Sequence, residues 1–383
     1  MNGALKTETN LLDGPDAILR SKSLLESIFR FPAAVDAVGL PQRKFHVISQ
    51  GDQPRWIVPE NNRSALTVFK SWRPYGTKSR LQWHGVIAAS SMNLLPLLPE
   101  VKTVEMNCNL PYWKTQLNGL SAEWEILGHV GNPSPTQKAI FFFLDKDSVR
   151  AVAKIPLNDR AKAAILNEAA ILRRVKEQHI VPEVLFTDEE HGVAAQSWMQ
   201  GRHVSRRFRE EHLDFLLGLA CNGCTVRLSD FRNALATQLS CFDRPKTEMQ
   251  GIEQALSLLE NDEELMAFIE HRDFAPWNIR RLADGKITLI DWEWAVENSL
   301  PWQDICRYFY IQDYLFNESK NVWDILTSNA LLQTYARKCR LSKETLRGLT
   351  SYYLLRTFFE DWTEGQHKRC AYTLRQIQFL LHS

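Results

Sequence analysis

His271-Arg272-Asp273-Phe274-Ala275-Pro276-Trp277-Asn278, followed by Leu289-Ile290-Asp291-Trp292-Glu293, is the stretch that decides how this 383-residue chain reads. An Asp precedes an Asn by five positions with a proline between them, so one short loop can turn both side chains toward a single point. Asp273 can accept, or orient, the proton of a hydroxyl that attacks a phosphoryl group. Asn278 can turn its amide oxygen toward a metal ion. Asp291, eighteen residues after Asp273, ends an apolar run and is a hard oxygen ligand suited to a Mg²⁺ ion that bridges phosphates. A lone Asp-x₄-Asn is weak evidence; three elements at this spacing, in aromatic and proline context, are much stronger.

Outward from this loop, the chain before it carries strand patterns and most of the rest is helical. EWEILGHVG (123–131), KAIFFFLD (138–145) and VRAVAKIPL (149–157) are apolar or alternating runs separated by the turn-forming NPSPTQ and KDS, which predicts an antiparallel meander. AKAAILNEAAILRRVKEQ (161–178) consists of strong helix formers with apolar residues at Ile165, Ala169, Leu172 and Val175. IVPEVLF and VAAQSW add two short strands before MQGRH. From about residue 203, EEHLDFLLGLA, FRNALATQL and MQGIEQALSLLENDEELMAFI carry helical spacing. The expectation is an α+β chain, with a small antiparallel-sheet lobe over 119–201 and a helical lobe over 202–383 that holds the catalytic and metal loops. Residues 1–118 differ. RWIV (55–58) and ALTVF (65–69) are short β-like runs, SRLQWHGVIAASSM (79–92) is helical, and the prolines of LLPLLPEV break it. This part shows no catalytic constellation and is expected to be an accessory N-terminal α/β module, open to a partner contact.

HRDFAPWN, then LIDWEWA and LPWQDI, resembles the aminoglycoside-phosphotransferase/choline-kinase family of the protein-kinase-like superfamily, in particular its bacterial branch with H-G-D-F-x-P-W-N and D-W-E. The resemblance implies a bilobal protein-kinase-like fold and use of ATP and Mg²⁺. It makes Asp273 the catalytic base, Asn278 and Asp291 the metal ligands, and His271 a brace for the loop. Arg272 departs from it, standing where the family usually has Gly. Asp291-Trp292-Glu293 replaces the Asp-Phe-Gly of protein kinases. On the nucleotide side the resemblance points to Lys154, in VAK at the end of the third strand, as the phosphate-contacting lysine with Glu168 as its ion-pair partner. Gly128-His129-Val130-Gly131 is a degenerate glycine loop in which Gly128 and Gly131 would cover phosphates. Trp198 and Met199 lie at the lobe junction, where backbone groups would meet adenine.

Lys plus Arg is 46 and Asp plus Glu is 45, so net charge offers no global reason for a nucleic-acid partner. No run has the length of a membrane span or signal peptide. The odd, scattered cysteines fit reduced thiols of a cytoplasmic protein, and Cys221 and Cys224 are expected to be buried thiols of an apolar helical stretch. The expected substrate is a small hydroxyl-bearing molecule such as a sugar, aminoglycoside or amino alcohol. Glu360, Asp361, Trp362 and Glu364, with Tyr308 and Tyr310, form a candidate pocket for a cationic acceptor. The alternatives are a nucleotide-binding pseudokinase scaffold and a kinase-like enzyme that transfers AMP.

Overall fold

The computed structural model describes residues 24–31, 41–51, 53–61, 65–72, 77–99, 101–117, 124–146, 148–177, 180–240, 246–260, 263–316 and 320–383. The chain forms two compact units, one taking in the chain up to Ala169 together with Glu183–Trp198, the other Ala170–Pro182 with Met199–Ser383.

The first unit is built on eight strands: β1 (Gln42–Gln50), β2 (Gln53–Pro59), β3 (Val101–Asn107), β4 (Glu125–Val130), β5 (Lys138–Asp145), β6 (Ser148–Pro156), β7 (Val184–Asp188) and β8 (Val193–Ser197). They form one sheet in the order β3-β1-β2-β4-β5-β6-β8-β7, every neighbouring pair antiparallel. Helices α1 (24–29), α2 (Ala65–Ser71), α3 (Thr77–Ser91), α4 (Leu110–Gln116) and α5 (Asp159–Val175) accompany it. The strand predictions at 123–131, 138–145 and 149–157 and the helix at 161–178 correspond to β4, β5, β6 and α5.

The boundary expected at residue 118 does not separate two bodies. β2 pairs directly with β4, Trp56 opposite His129 and Ile57 opposite Gly128, so β1–β3 continue the same sheet. The reason lies in β5, whose KAIFFFLD run is apolar on both faces and must be covered on both. Phe141 and Phe143 pack in a core with Phe29 of α1, Phe45 of β1 and Trp113 of α4. Phe142 and Leu144 point the other way, into a second core with Trp56 of β2 and with Val68 and Phe69 of α2. The N-terminal segment thus supplies cover for both faces. ALTVF, expected to be a strand, is helical in α2, because Ala65, Val68 and Phe69 at i, i+3 and i+4 give it one buried face.

The second unit contains β9 (Arg202–His203), α6 (Glu210–Leu217), β10 (Ala220–Arg227), α7 (Leu228–Ser240), α8 (Lys246–Ser257), β11 (Glu264–Glu270), β12 (Ile279–Arg281), β13 (Ile287–Leu289) and β14 (Val296–Ser299). It closes with α9 (Gln303–Phe316), α10 (Val322–Ser328), α11 (Ala330–Lys338), α12 (Lys343–Thr363) and α13 (His367–Leu381). Two three-stranded sheets, β10-β11-β14 and β13-β12-β9, interrupt the helices. The Cys221/Cys224 pair lies on β10 rather than in a helix, with Cys221 half-buried and Cys224 exposed. The register slips between Ala220 and Thr225, and Gly223 takes a positive φ of 78°, so this segment bows away from β11 instead of packing inward. Among the described residues no helix is long and apolar enough to cross a membrane.

Candidate active site

The loop 271–278 leaves the end of β11, and β12 and β13 hold its far side. Asn278 N donates to Ala275 O at 2.9 Å, which closes the turn around Pro276. Asn278 O accepts from Ile290 N at 2.9 Å. One hydrogen bond therefore ties the segment bearing Asn278 to the residue just before Asp291. His271 is fully buried, its Nδ1 accepting from Asp273 N at 3.2 Å and its Nε2 lying 3.2 Å from Ile290 O. The neutral tautomer protonated at Nε2 satisfies both contacts. The imidazole thus links the Asp273 segment to the Asp291 segment.

The side chain of Asp273 is held from two sides. Asn278 Nδ2 donates to its Oδ2 at 2.7 Å, and Arg307 donates to Oδ1 through Nη2 at 2.7 Å and Nε at 3.2 Å. Asn278 Nδ2 also donates to Asp273 O at 3.0 Å, so the amide oxygen is the atom of Asn278 turned to act as an acceptor or metal ligand. Asp291 follows β13 in a left-handed conformation, φ 69°, and Arg272 has φ 66°. For non-glycine residues this costs roughly 1–2 kcal/mol each, and such outliers gather where local geometry serves a site.

Beneath the loop lies an ionic network that the sequence did not disclose. Asp304, at the start of α9, accepts His271 N at 2.7 Å and Arg272 N at 2.9 Å on its two oxygens. Its carboxyl is pushed up to about 7, first by burial and next by the neighbouring Glu270, against the pull of those two N–H groups. Burial alone would raise Glu270 as well, but Arg356 donates to it at 2.6 and 2.9 Å and holds it below the usual glutamate range. Arg356→Met is expected to destabilise the protein by about 3–5 kcal/mol at neutral pH, because it leaves a buried carboxylate unpaired. A depressed carboxyl contributes stability that is present above its unfolded value near 4.5 and is lost as pH falls through the folded value. The penalty should therefore shrink in acid, which denaturant titrations of both proteins at pH 4 and pH 7 would measure.

In the sheet unit, Lys154 of β6 and Glu168 of α5 form the expected pair. Nζ lies 2.6 Å from Oε2, with side chains only 7% and 3% exposed. That burial makes a solvated, incidental contact untenable, and each charge needs the other. Gly128 does not belong to a loop. It is buried inside β4, paired on both sides, and a Cβ there would approach Ile57 Cδ1 to 3.0 Å. Its role is close approach of β2 to β4, not phosphate cover. Gly131 closes the hairpin between β4 and β5, its N–H donating to Lys138 O at 2.9 Å, so residues 132–137 are the turn at that end of the sheet. Trp198 is half-buried with its ring edge-on to Phe142 at 5.7 Å, and Met199 begins the other unit.

The candidate cationic pocket is not formed. Tyr308 and Tyr310 are buried, and Tyr310 Oη lies 2.6 Å from Thr373 Oγ1 in the core. Glu360 pairs with Arg272, and the buried Asp361 accepts from Arg369 Nε at 2.6 Å. Sequence reasoning also missed Arg307. Its only signal was its place three residues after Asp304, one helical turn further along α9 from the LPWQDI motif.

Among the described residues no group of three or more His, Cys, Asp and Glu side chains could hold a metal. One carboxylate, Asp291, and one amide oxygen, Asn278, are hard ligands too few for an all-protein cage. They fit Mg²⁺, which keeps waters and completes its shell with substrate phosphates.

A profile of the phosphotransferase enzyme family (APH) matches residues 136–337, more than half of the chain. No curated protein matches it. Among solved structures, a thermostable mutant of aminoglycoside phosphotransferase APH(4)-Ia, in ternary complex with ADP and hygromycin B, is 16% identical, over 71% of this chain and 97% of that one, with a TM-score of 0.45. Aminoglycoside phosphotransferase APH(4)-Ia itself is 14% identical over 71% and 97%, with a TM-score of 0.49. The GDP and kanamycin complex of APH(2")-IIIa is 8% identical over 70% and 98%, with a TM-score of 0.47.

Proposed function

The chain belongs to the phosphotransferase enzyme family, and on that premise we propose that it transfers the γ-phosphoryl group of ATP to a hydroxyl of a small molecule. The observation that carries this reading is the single hydrogen-bonded loop system in which Asp273 is fixed by Asn278 and Arg307, while Asn278 O is bonded to the residue before Asp291. Base and both hard oxygen ligands are thereby held by one short piece of backbone, which suits a reaction governed by positioning and charge.

Asp273 receives the hydroxyl of the acceptor and orients its lone pair in line with the γ-phosphorus. The acceptor oxygen forms a bond to that phosphorus as the bond to the β–γ bridging oxygen breaks, and ADP leaves. The hydroxyl proton passes to Asp273 and from there to solvent. Asn278 and Asp291 would hold Mg²⁺, which neutralises charge on the phosphates when bound. Lys154, paired with Glu168, would supply a cation for the α- and β-phosphates.

The test is product mass after incubation with Mg²⁺-ATP and a panel of hydroxyl compounds. One phosphate increment on an acceptor, with ADP as co-product, is the expected result. An AMP increment would replace γ-transfer by nucleotidyl transfer, and no modified acceptor together with no ATP binding would leave a scaffold.

A further inference from the structure

The charges around Asp273 carry the proposed phosphotransfer one step further, to the chemistry of the acceptor. Four arginines, Arg272, Arg307, Arg356 and Arg369, surround the catalytic loop and the α12 face that carries Tyr353, Arg356 and Glu360. Each is paired with a carboxylate: Glu360, Asp273, Glu270 and Asp361 respectively. Every acidic side chain that might have received a cationic acceptor at the end of α12, as far as Asp361, is thus already neutralised. The carboxylate that must meet the acceptor hydroxyl has a guanidinium on its Oδ1. A cationic acceptor brought to Asp273 would face the like charge of Arg307 at close range, whereas an anionic one would be attracted and could be gripped by a planar fork.

The arginines differ in how firmly they are held. Arg356 is bidentate to a buried glutamate and is a structural charge. Arg272 and Arg307 keep side chains 25% and 20% exposed, and the partner of Arg272, Glu360, is 49% exposed. The Arg272–Glu360 pair, the more exposed of the two, contributes little and is readily exchanged for another oxyanion, while Arg307 stays on Asp273 and adds its positive charge beside it. Arg272 also stands in a left-handed conformation at a position where glycine would be unstrained. A guanidinium thus stands one residue from Asp273 despite that strain.

We propose that the acceptor is a hydroxyl compound carrying an oxyanion, a carboxylate or phosphate, close to the phosphorylated hydroxyl, and that Arg272 and Arg307 are the groups that receive it. This rests on the phosphotransferase reading, and the experiment separates the two. ADP release by the full-length protein with Mg²⁺-ATP is followed with glucose, glucosamine, gluconate and glucose 6-phosphate, which share a six-carbon skeleton but are neutral, cationic and, for the last two, anionic. At least one anion should give a kcat/KM ten-fold or more above glucose, with glucosamine lowest, and the preference should fall with added salt. Gluconate against glucose 6-phosphate tells a carboxylate from a phosphate. Arg272→Gly, which relieves the backbone strain and is expected to melt no lower than wild type, should raise KM for the preferred anion about ten-fold with a smaller change in kcat. Glucose or glucosamine used as well as either anion, no effect of any anion, or an unchanged anion-to-neutral ratio in Arg272→Gly would overturn the proposal. Stabilisation by Mg²⁺-ATP without any acceptor reports on the phosphotransferase reading alone; its persistence beside a cation preference refutes only the anionic acceptor.

Discussion

Asp273→Asn is expected to lower turnover by roughly 10²–10⁴-fold while leaving stabilisation by Mg²⁺-ATP close to that of the wild type. The carboxylate is the group that meets the attacking hydroxyl, and an amide neither accepts its proton nor carries its charge. The substitution also places an amide beside two donors, Asn278 Nδ2 and the Arg307 guanidinium, so Arg307 loses its ionic partner. The bond from Ile290 N to Asn278 O does not involve the Asp273 side chain, and the amide oxygen of the new asparagine can still accept from Asn278 Nδ2, which is why nucleotide binding should survive. Steady-state kinetics and thermal melts on the same preparations separate the two effects. Undiminished turnover would remove Asp273 from the reaction.

Deletion of residues 1–118 is expected to abolish folding. The segment from α1 to α4 looks dispensable by motif, since every proposed catalytic and metal-binding group lies beyond it. Yet β4 would lose β2 as its neighbour, and Phe141, Phe142, Phe143 and Leu144 of β5 would lose cover on both faces. At about 1.5–3 kcal/mol for each large apolar side chain, β5 alone puts about 6–12 kcal/mol at stake. That is comparable to the whole stability of an ordinary domain, about 5–15 kcal/mol. The fragment 119–383 should appear in the insoluble fraction or show no cooperative melt. A soluble fragment melting near the intact protein would mean that the sheet is complete without β1–β3.

These two cases mark what is legible in a sequence of this kind. The loop 271–278 was readable because its chemistry is local: five residues separate Asp273 from Asn278, and Pro276 constrains the turn between them. Lys154 and Glu168 were readable because a strand followed by a helix brings them together over a short stretch of chain. The pairing of Trp56 with His129 joins residues far apart, and nothing in RWIV or EILGHV names the partner. Gly128 was misplaced for the same reason. A glycine after a strand-like run looks alike whether it opens a loop or makes room for Ile57, and only the neighbouring strand decides. The charges of Glu360 and Asp361 were visible, but the arginines that neutralise them, Arg272 and Arg369, could be assigned only once α12 and α13 were seen beside the loop. Arg307 stands 34 positions from the carboxylate it holds. Long-range ionic partners are where sequence reasoning was weakest, and at this site they occupy two of the acids that had been read as a pocket for a cationic acceptor.

The most direct test of the central claim is the melting temperature of the protein with ATP, with Mg²⁺, and with both, for wild type and Asp291→Ala. A ligand at a hundred times its dissociation constant stabilises the folded state by about 2.7 kcal/mol, enough to move a melt by several degrees. The account predicts a rise that requires ATP and metal together and is lost in Asp291→Ala. A wild type that does not respond to the pair, or a variant that responds equally, would contradict it.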